Sequence, residues 1–185
     1  MKTTIIHPWK WVDMVWVEHP NNPWKLWEWV FRKWSGWVVS AVVENTSRDT
    51  FILVEQFRPL VNARVIELVA WLIDTDMTPE EAILKEIREE TGYIWKRVEY
   101  LLTGPKSAGI TNEITYEYYA EVSGLAWPQE LETSERGLIV LECENNLREL
   151  KKFLASEEKS WKLISPWVWA GFWKALIDGY LKNNL

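Results

Sequence analysis

The sequence predicts an α+β fold, an α/β/α sandwich built on a mixed sheet, and three observations carry that reading. Segments with strand character outnumber helical ones. Their order is mixed, without the regular strand–helix alternation of a purely parallel sheet. One well-punctuated helix stands alone in the middle of the chain, over 78–93. At 185 residues a single fold with a real core is expected. The 48% hydrophobic and 26% charged content is that of a folded globular domain.

Residues 9–18 and 24–33 read as two strands joined by a turn at His19-Pro20-Asn21-Asn22-Pro23. Trp27, Trp29 and Phe31 share one parity, and Trp24, Leu26 and Val30 make the other face largely apolar as well. A strand apolar on both faces is buried on both, so this hairpin calls for a second surface such as a partner subunit. Ser35-Gly36 opens a strand over 37–43, Asn45 to Asp49 turn the chain into a strand over 51–57, and a further strand covers 64–68. Thr78 is a helix cap, with Pro79 at the first position and Glu80 and Glu81 in the first turn. Gly92 supplies a left-handed stop. Strands follow near 96–103 and 114–122, then a polar loop over 127–136, a strand over 137–142, and helices at 145–156 and 165–181.

Composition excludes several functions. A net charge of −6 and a pI near 5.1 leave no basic footprint for a nucleic-acid polymer. The lone Cys143 rules out an intrachain disulfide and a cysteine zinc site, and reads as a packed thiol. With only His7 and His19, most histidine-centred chemistry is disfavoured. No apolar run approaches the roughly 18 residues of a membrane span. Lys10 and Asp13 interrupt the N-terminal apolar stretch, so no signal peptide is expected and the cytoplasm is the default location. The anomaly is tryptophan: 15 residues against 5 Phe and 6 Tyr, eight of the 15 within residues 1–37. Trp169 and Trp173, one turn apart, predict a buried helix face.

The central helix carries the chemistry. Glu86, Glu89 and Glu90 share one face at i, i+3 and i+4, where like charges repel. A divalent cation removes that penalty, and Mg²⁺ or Mn²⁺ prefers such oxygen ligands. A solvated acidic face fits the same spacing.

Residues 67–93 (ELVAWLIDTDMTPEEAILKEIREETGY) closely resemble the Nudix hydrolase signature G-x5-E-x7-R-E-U-x-E-E-x-G-U, with Lys85-Glu86-Ile87-Arg88-Glu89-Glu90-Thr91-Gly92-Tyr93 matching its second half. The flanks resemble the ADP-ribose pyrophosphatase branch: Gln56-Phe57-Arg58-Pro59 stands for its Q-F/Y-R-P segment. Glu67-Leu68-Val69-Ala70-Trp71-Leu72-Ile73-Asp74 stands for E-L/F-P-A-G-L-I-D. The likeness runs over roughly residues 25–180.

The resemblance implies hydrolysis of a nucleoside diphosphate linked to another group, using Mg²⁺ or Mn²⁺. Glu86 and Glu90 would be metal ligands with the Ala70 carbonyl, and Glu89 a further ligand or a base. A base would also come from the loop 128–136, with Glu135 aligning best and Glu132 and Glu130 as alternatives. Arg58, Glu67 and Arg32 fall among the substrate contacts, the two arginines on phosphate, although a surface ion pair suits each arginine equally. Trp11 and Trp27 lie where dimeric relatives sandwich adenine across the subunit boundary; dimer-core packing is the plainer role. Gly109, Thr111 and Glu113 match a loop that approaches the terminal ribose. Residues 1–36 would then form a dimerising region and a base-binding wall, and 37–185 the catalytic domain.

Three signature positions depart: Trp71 replaces the leading Gly, Met77 the first Glu, and Lys85 the Arg. Lys keeps charge but loses the planar fork. Met77 removes a carboxylate. Trp71 puts an indole where Gly permits close backbone approach, so the loop should shift or the pocket fill. Together with the Trp count, this points to Trp substitution by engineering into an ADP-ribose pyrophosphatase-like parent. The expectation is a homodimeric pyrophosphohydrolase impaired at Trp71 and Met77, or a catalytically inactive Trp-rich dimer or small-molecule binder on the same scaffold.

Overall fold

A computed structural model describes residues 3–73, 76–124 and 126–182. Asp74, the last residue of the E-L/F-P-A-G-L-I-D-like segment, lies outside them.

The N-terminal region is a three-stranded antiparallel sheet of β1 (Thr3–Pro8), β2 (Val12–His19) and β3 (Asn22–Arg32). The expected hairpin is β2–β3, and its ladder runs to His19 opposite Asn22, so the turn tightens to Pro20-Asn21. The extra strand, β1, pairs Thr3 with Val17 through Pro8 with Asp13. Its TTIIHP sequence has no alternation, and every residue is exposed, so no hydrophobic period announces it. Within one chain the apolar character of β3 is not covered: Trp24 is 95% exposed, and Leu26, Trp27 and Phe31 are also exposed.

The large sheet comprises β4 (Trp37–Asn45), β5 (Thr50–Arg58), β6 (Ala63–Glu67), β7 (Val69–Leu72), β8 (Ile94–Pro105), β9 (Ile114–Ser123), β10 (Ile139–Glu144) and β11 (Leu163–Ile164). Its order is β11-β6-β5-β4-β9-β8, with β10 added on β5 and β7 on β4. The β4–β9 and β6–β11 pairs are parallel and the others antiparallel, which is the mixed sheet expected. β7 and β11 are too short to stand out as separate hydrophobic runs; β7 continues β6 after Leu68.

Helix α1 (Pro79–Thr91) follows its punctuation. Thr78 accepts from the Glu81 amide while the Glu81 carboxylate accepts from the Thr78 amide, a reciprocal capping box. Gly92 ends the helix at φ 74°, and a Cβ there would collide with the Trp127 carbonyl. Helices α2 (Leu147–Lys159) and α3 (Pro166–Ile177) complete the fold. No described helix is long and apolar enough to cross a membrane.

Strand alternation divides the core into two layers. Val39, Ala41 and Val43 of β4 pack with Ile83 and Ile87 of α1. Val42 packs on the other face with Phe51, Leu53, Leu150 and Phe172 beneath α2 and α3. Ile87 is fully buried, and truncating such a side chain to Ala typically costs about 2–5 kcal/mol. The same mechanism fixes α1 against the sheet and thereby sets the position of its glutamates. Trp169 and Trp173 depart from expectation: both are exposed, Trp173 by 60%, because α3 turns Val168, Phe172 and Ala175 to the core instead. Cys143 is a packed thiol, pushed up to about 12 by burial.

Candidate active site

The buried face of α1 is not purely apolar. Ala82, Ile83 and Ile87 share it with Glu86 and Glu90. Each glutamate is 3% exposed, and such carboxylates are almost never buried without compensation. Glu135 joins them from a short helical turn at Thr133–Glu135 and is 2% exposed. One carboxylate oxygen from each of the three lies within 4.8 Å of the others.

Electrostatics makes this trio unfavourable on its own. The Glu86 carboxyl is pushed up to about 7, by burial first, with Lys85 pulling it down and Glu89 and Glu135 pushing it up. Glu90 is raised well above the ordinary range by burial first and by Glu86 and Glu135 next, against the Ala70 amide and Arg58. Glu135 is raised by burial too, opposed by the Glu132 amide that its carboxylate accepts from at 2.8 Å. Glu90 Oε2 is buried with no hydrogen-bond partner. Three close carboxylates with an orphaned oxygen fit a hard divalent cation, which takes oxygen ligands and cancels their repulsion.

The structure distributes the other expected residues unequally. Glu89 is drawn away to Lys85, 2.6 Å from its Nζ. Glu130 pairs with Arg88 at 2.8 Å and is largely exposed, and Glu132 caps the turn that carries Glu135. Of the three loop glutamates, only Glu135 enters the cluster. Ala70 sits on β7 and its amide donates to Glu90.

A cleft of about 470 Å³ opens beside the cluster, and Arg32, Arg58, Glu67, Ala70, Glu90 and Glu113 all line it. Arg58 bonds Glu67 through Nε at 2.8 Å and Nη2 at 2.7 Å. Arg32 is paired with Glu113. The loop carrying Glu113 is stitched to β3: the Val30 amide donates to the Ile110 carbonyl at 2.8 Å, and the Arg32 amide to Asn112 Oδ1 at 2.8 Å. Thr111 forms a bridge with Val30, and its hydroxyl accepts from the Glu113 amide at 3.3 Å. These contacts give Thr111 a local structural job and carry Arg32 to the cleft.

Trp11 and Trp27 do not line this cleft. Trp11 is exposed under Lys10 Nζ, 4.4 Å from its ring centroid. Trp27 stacks on Trp29 with centroids 6.1 Å apart, and both border a separate groove that Gly109 also lines. Trp71 is a regular member of β7, opposite Val39, packed against the α1 core and lining the cleft. Met77 lies with Asp76, Trp34, Trp37 and Tyr116 around a different concavity.

Sequence reasoning passed over Ser40, Lys106 and Trp167, which also line the cleft. Lys106 lies in the 104–113 loop already singled out, but its role there depends on contacts distant in the chain.

The NUDIX domain family model matches residues 34–161, more than half of the chain. An ADP-ribose pyrophosphatase of Bacillus subtilis (strain 168) is 31% identical over 119 residues, 64% of this chain and 63% of that protein. A GDP-mannose pyrophosphatase of Yersinia pestis (strain Pestoides F) is 35% identical over 88 residues, 44% of each chain. A methanol dehydrogenase activator of Bacillus methanolicus is 31% identical over 81 residues, again 44% of each. The matches span less than two thirds of these curated relatives. The family match covers α1, the carboxylate cluster and most of the cleft, and the chain belongs to the Nudix family.

Proposed function

We propose that the protein is a divalent-metal-dependent pyrophosphohydrolase that splits the diphosphate of ADP-ribose, or of a related nucleoside diphosphate sugar, into two monophosphates. The convergence of Glu86, Glu90 and Glu135 beside an arginine-bearing cleft carries this reading. The names of the ADP-ribose and GDP-mannose pyrophosphatases support it. Glu86 and Glu90 would hold Mg²⁺ or Mn²⁺, with Glu89 and the Ala70 carbonyl as further ligands. When bound, such a cation neutralises diphosphate charge and activates water.

The chain's own residues do the rest. Glu135, whose carboxyl burial raises above the usual carboxylate range, is the base that takes a proton from the attacking water. Arg58 and Arg32 exchange Glu67 and Glu113 for diphosphate oxygens, where a planar guanidinium binds two oxygens at once. Glu113 would face the leaving sugar from the cleft wall, with Gly109 and Thr111 of the same loop closing over the ligand from the neighbouring groove and from β3. Residues 1–36 dimerise through β3 and offer Trp11 and Trp27 to the base bound by the partner, and 37–185 form the catalytic domain.

Trp71 and Met77 impair turnover in this reading. They also favour a second one, an engineered and catalytically inactive Trp-rich dimer or small-molecule binder, because Trp71 fills the strand position beside Ala70. Incubation with ADP-ribose and Mg²⁺ separates the two. Release of AMP supports the hydrolase, and its absence at high protein concentration rejects the hydrolase in favour of the second reading.

A further inference from the structure

Lys106, immediately after β8, holds its Nζ 5.6 Å from the ring centroid of Trp167 on the cleft wall. It makes no hydrogen bond or ion pair with any described residue. The other two cationic side chains of the cleft are committed, Arg32 to Glu113 and Arg58 to Glu67. Beside Glu67, Glu90 and Glu113, Lys106 is the cleft's one cationic side chain without an ion-pair partner among the described residues, so it can meet an anion without first giving up a partner.

The sheet that floors the cleft carries polar groups where a core is normally apolar. Glu117 on β9 is fully buried, and neither of its carboxylate oxygens has a hydrogen-bond partner. The hydroxyls of Ser40, its register neighbour on β4, and of Thr115, two residues back on β9, are unpartnered as well. Lys106 is the attractive charge acting on Glu117, and Glu117 is the strongest attractive charge acting on Lys106. Helix α3 is adapted to this carboxylate. Gly171 stands mid-helix, where Gly is disfavoured relative to Ala, and a Cβ there would collide with Glu117.

We infer that Lys106 is a diphosphate-contact residue of the cleft and that Glu117 is its positioning residue, holding the ammonium on the wall from beneath α3. The inference rests on the reading that the cleft takes a diphosphate-bearing molecule. Burial lowers the proton affinity of Lys106, and an incompletely hydrated ammonium gains most from a charge-assisted bond to an anion.

The test uses the full chain with Mg²⁺ and inorganic pyrophosphate, a diphosphate with neither base nor sugar. Lysine acylation is followed by peptide mass spectrometry. Acylation of Lys106 slows about tenfold at a pyrophosphate concentration about ten times Kd, while Lys151 on α2 is unaffected. By calorimetry Lys106→Met weakens pyrophosphate about tenfold, the scale of one charge-assisted bond, and Lys106→Arg retains most of the affinity. Glu117→Gln speeds Lys106 acylation without ligand, because the ammonium loses its counter-charge; a purely structural role for Glu117 leaves that rate unchanged. Unprotected Lys106 at saturating pyrophosphate, or wild-type affinity in Lys106→Met, overturns the inference. Protection of Lys106 without cleavage of ADP-ribose supports the contact and rejects the hydrolase; cleavage with Lys106 unprotected does the reverse.

Discussion

Lys85 Nζ lies 2.6 Å from Glu89 Oε2 and 3.5 Å from Glu86 Oε1, so one ammonium on α1 serves two of its three acidic neighbours. Glu89 is thereby satisfied at the rim of the site, and Glu86 is only partly compensated. The repulsion within the site concentrates on Glu86, Glu90 and Glu135.

This predicts a pH-dependent stability in metal-free protein. Glu86 titrates near 7 when folded and near 4.5 as a free side chain, so the folded state binds its proton more tightly. Stability is therefore fullest below about 4.5 and is lost as pH rises toward about 7, by on the order of 2–3 kcal/mol for this group. Denaturant unfolding in EDTA at pH 5 and pH 8 measures the loss. Glu86→Gln flattens the profile, Lys85→Met steepens it, and Mg²⁺ restores stability at pH 8. Equal stability at the two pH values would show that the buried trio is not under charge stress.

Restoring the signature should trade stability for turnover. Trp71→Gly removes an indole packed against the α1 core and places glycine within a strand, a loss of about 3–5 kcal/mol for the truncation. With Met77→Glu added, the loop regains a carboxylate and the backbone room beside Ala70. The double variant is expected to melt lower and to release AMP from ADP-ribose at least about tenfold faster, the rate gain of about 1.4 kcal/mol off the barrier. A lower melting point with no gain in AMP would mean that these positions do not limit activity.

The capping box makes α1 testable away from the chemistry. Thr78→Ala removes the side-chain acceptor for the Glu81 amide and should cost about 1 kcal/mol. Because α1 supplies both Glu86 and Glu90, fraying at its first turn should weaken Mg²⁺ binding only slightly. Thr78→Ser, which keeps the acceptor, should recover the lost stability in thermal unfolding.

What the sequence discloses follows from how local each cause is. Thr78, Pro79 and Gly92 act within one turn of α1, so both helix ends are legible. The alternation of Val39, Ala41 and Val43 likewise declares β4. β1 lacks any burial period, β11 is a two-residue bridge, and β7 is hidden in the run that begins with β6. Glu86 and Glu90 are readable as a pair by helical spacing; Glu135 is favoured over Glu130 by the family resemblance, but its place beside them depends on a turn formed far along the chain. Lys106, Glu117 and Gly171 are opaque for the same reason: a helix glycine explained by a strand carboxylate leaves no periodic trace.

The exposed apolar face of the N-terminal sheet predicts a dimer. Trp27 and Phe31 are exposed on one face of β3, with Leu26 exposed on the other, and Trp16 and Trp29 border the groove beside Trp27. Contiguous exposed aromatic surface on this scale marks an interaction site. Trp27 also stacks on Trp29, so a charge introduced there acts on the patch and leaves the distant core of the large sheet intact. Sedimentation should give a dimer for the native chain and a monomer, or a dimer weakened by about tenfold or more, for Trp27→Glu. The variant should unfold with the same denaturant dependence of the large sheet. If the adenine wall is built across the dimer, ADP-ribose binding falls with dissociation and recovers at high protein concentration. A native chain that sediments as a monomer at all concentrations would remove both the dimer and the cross-subunit base site.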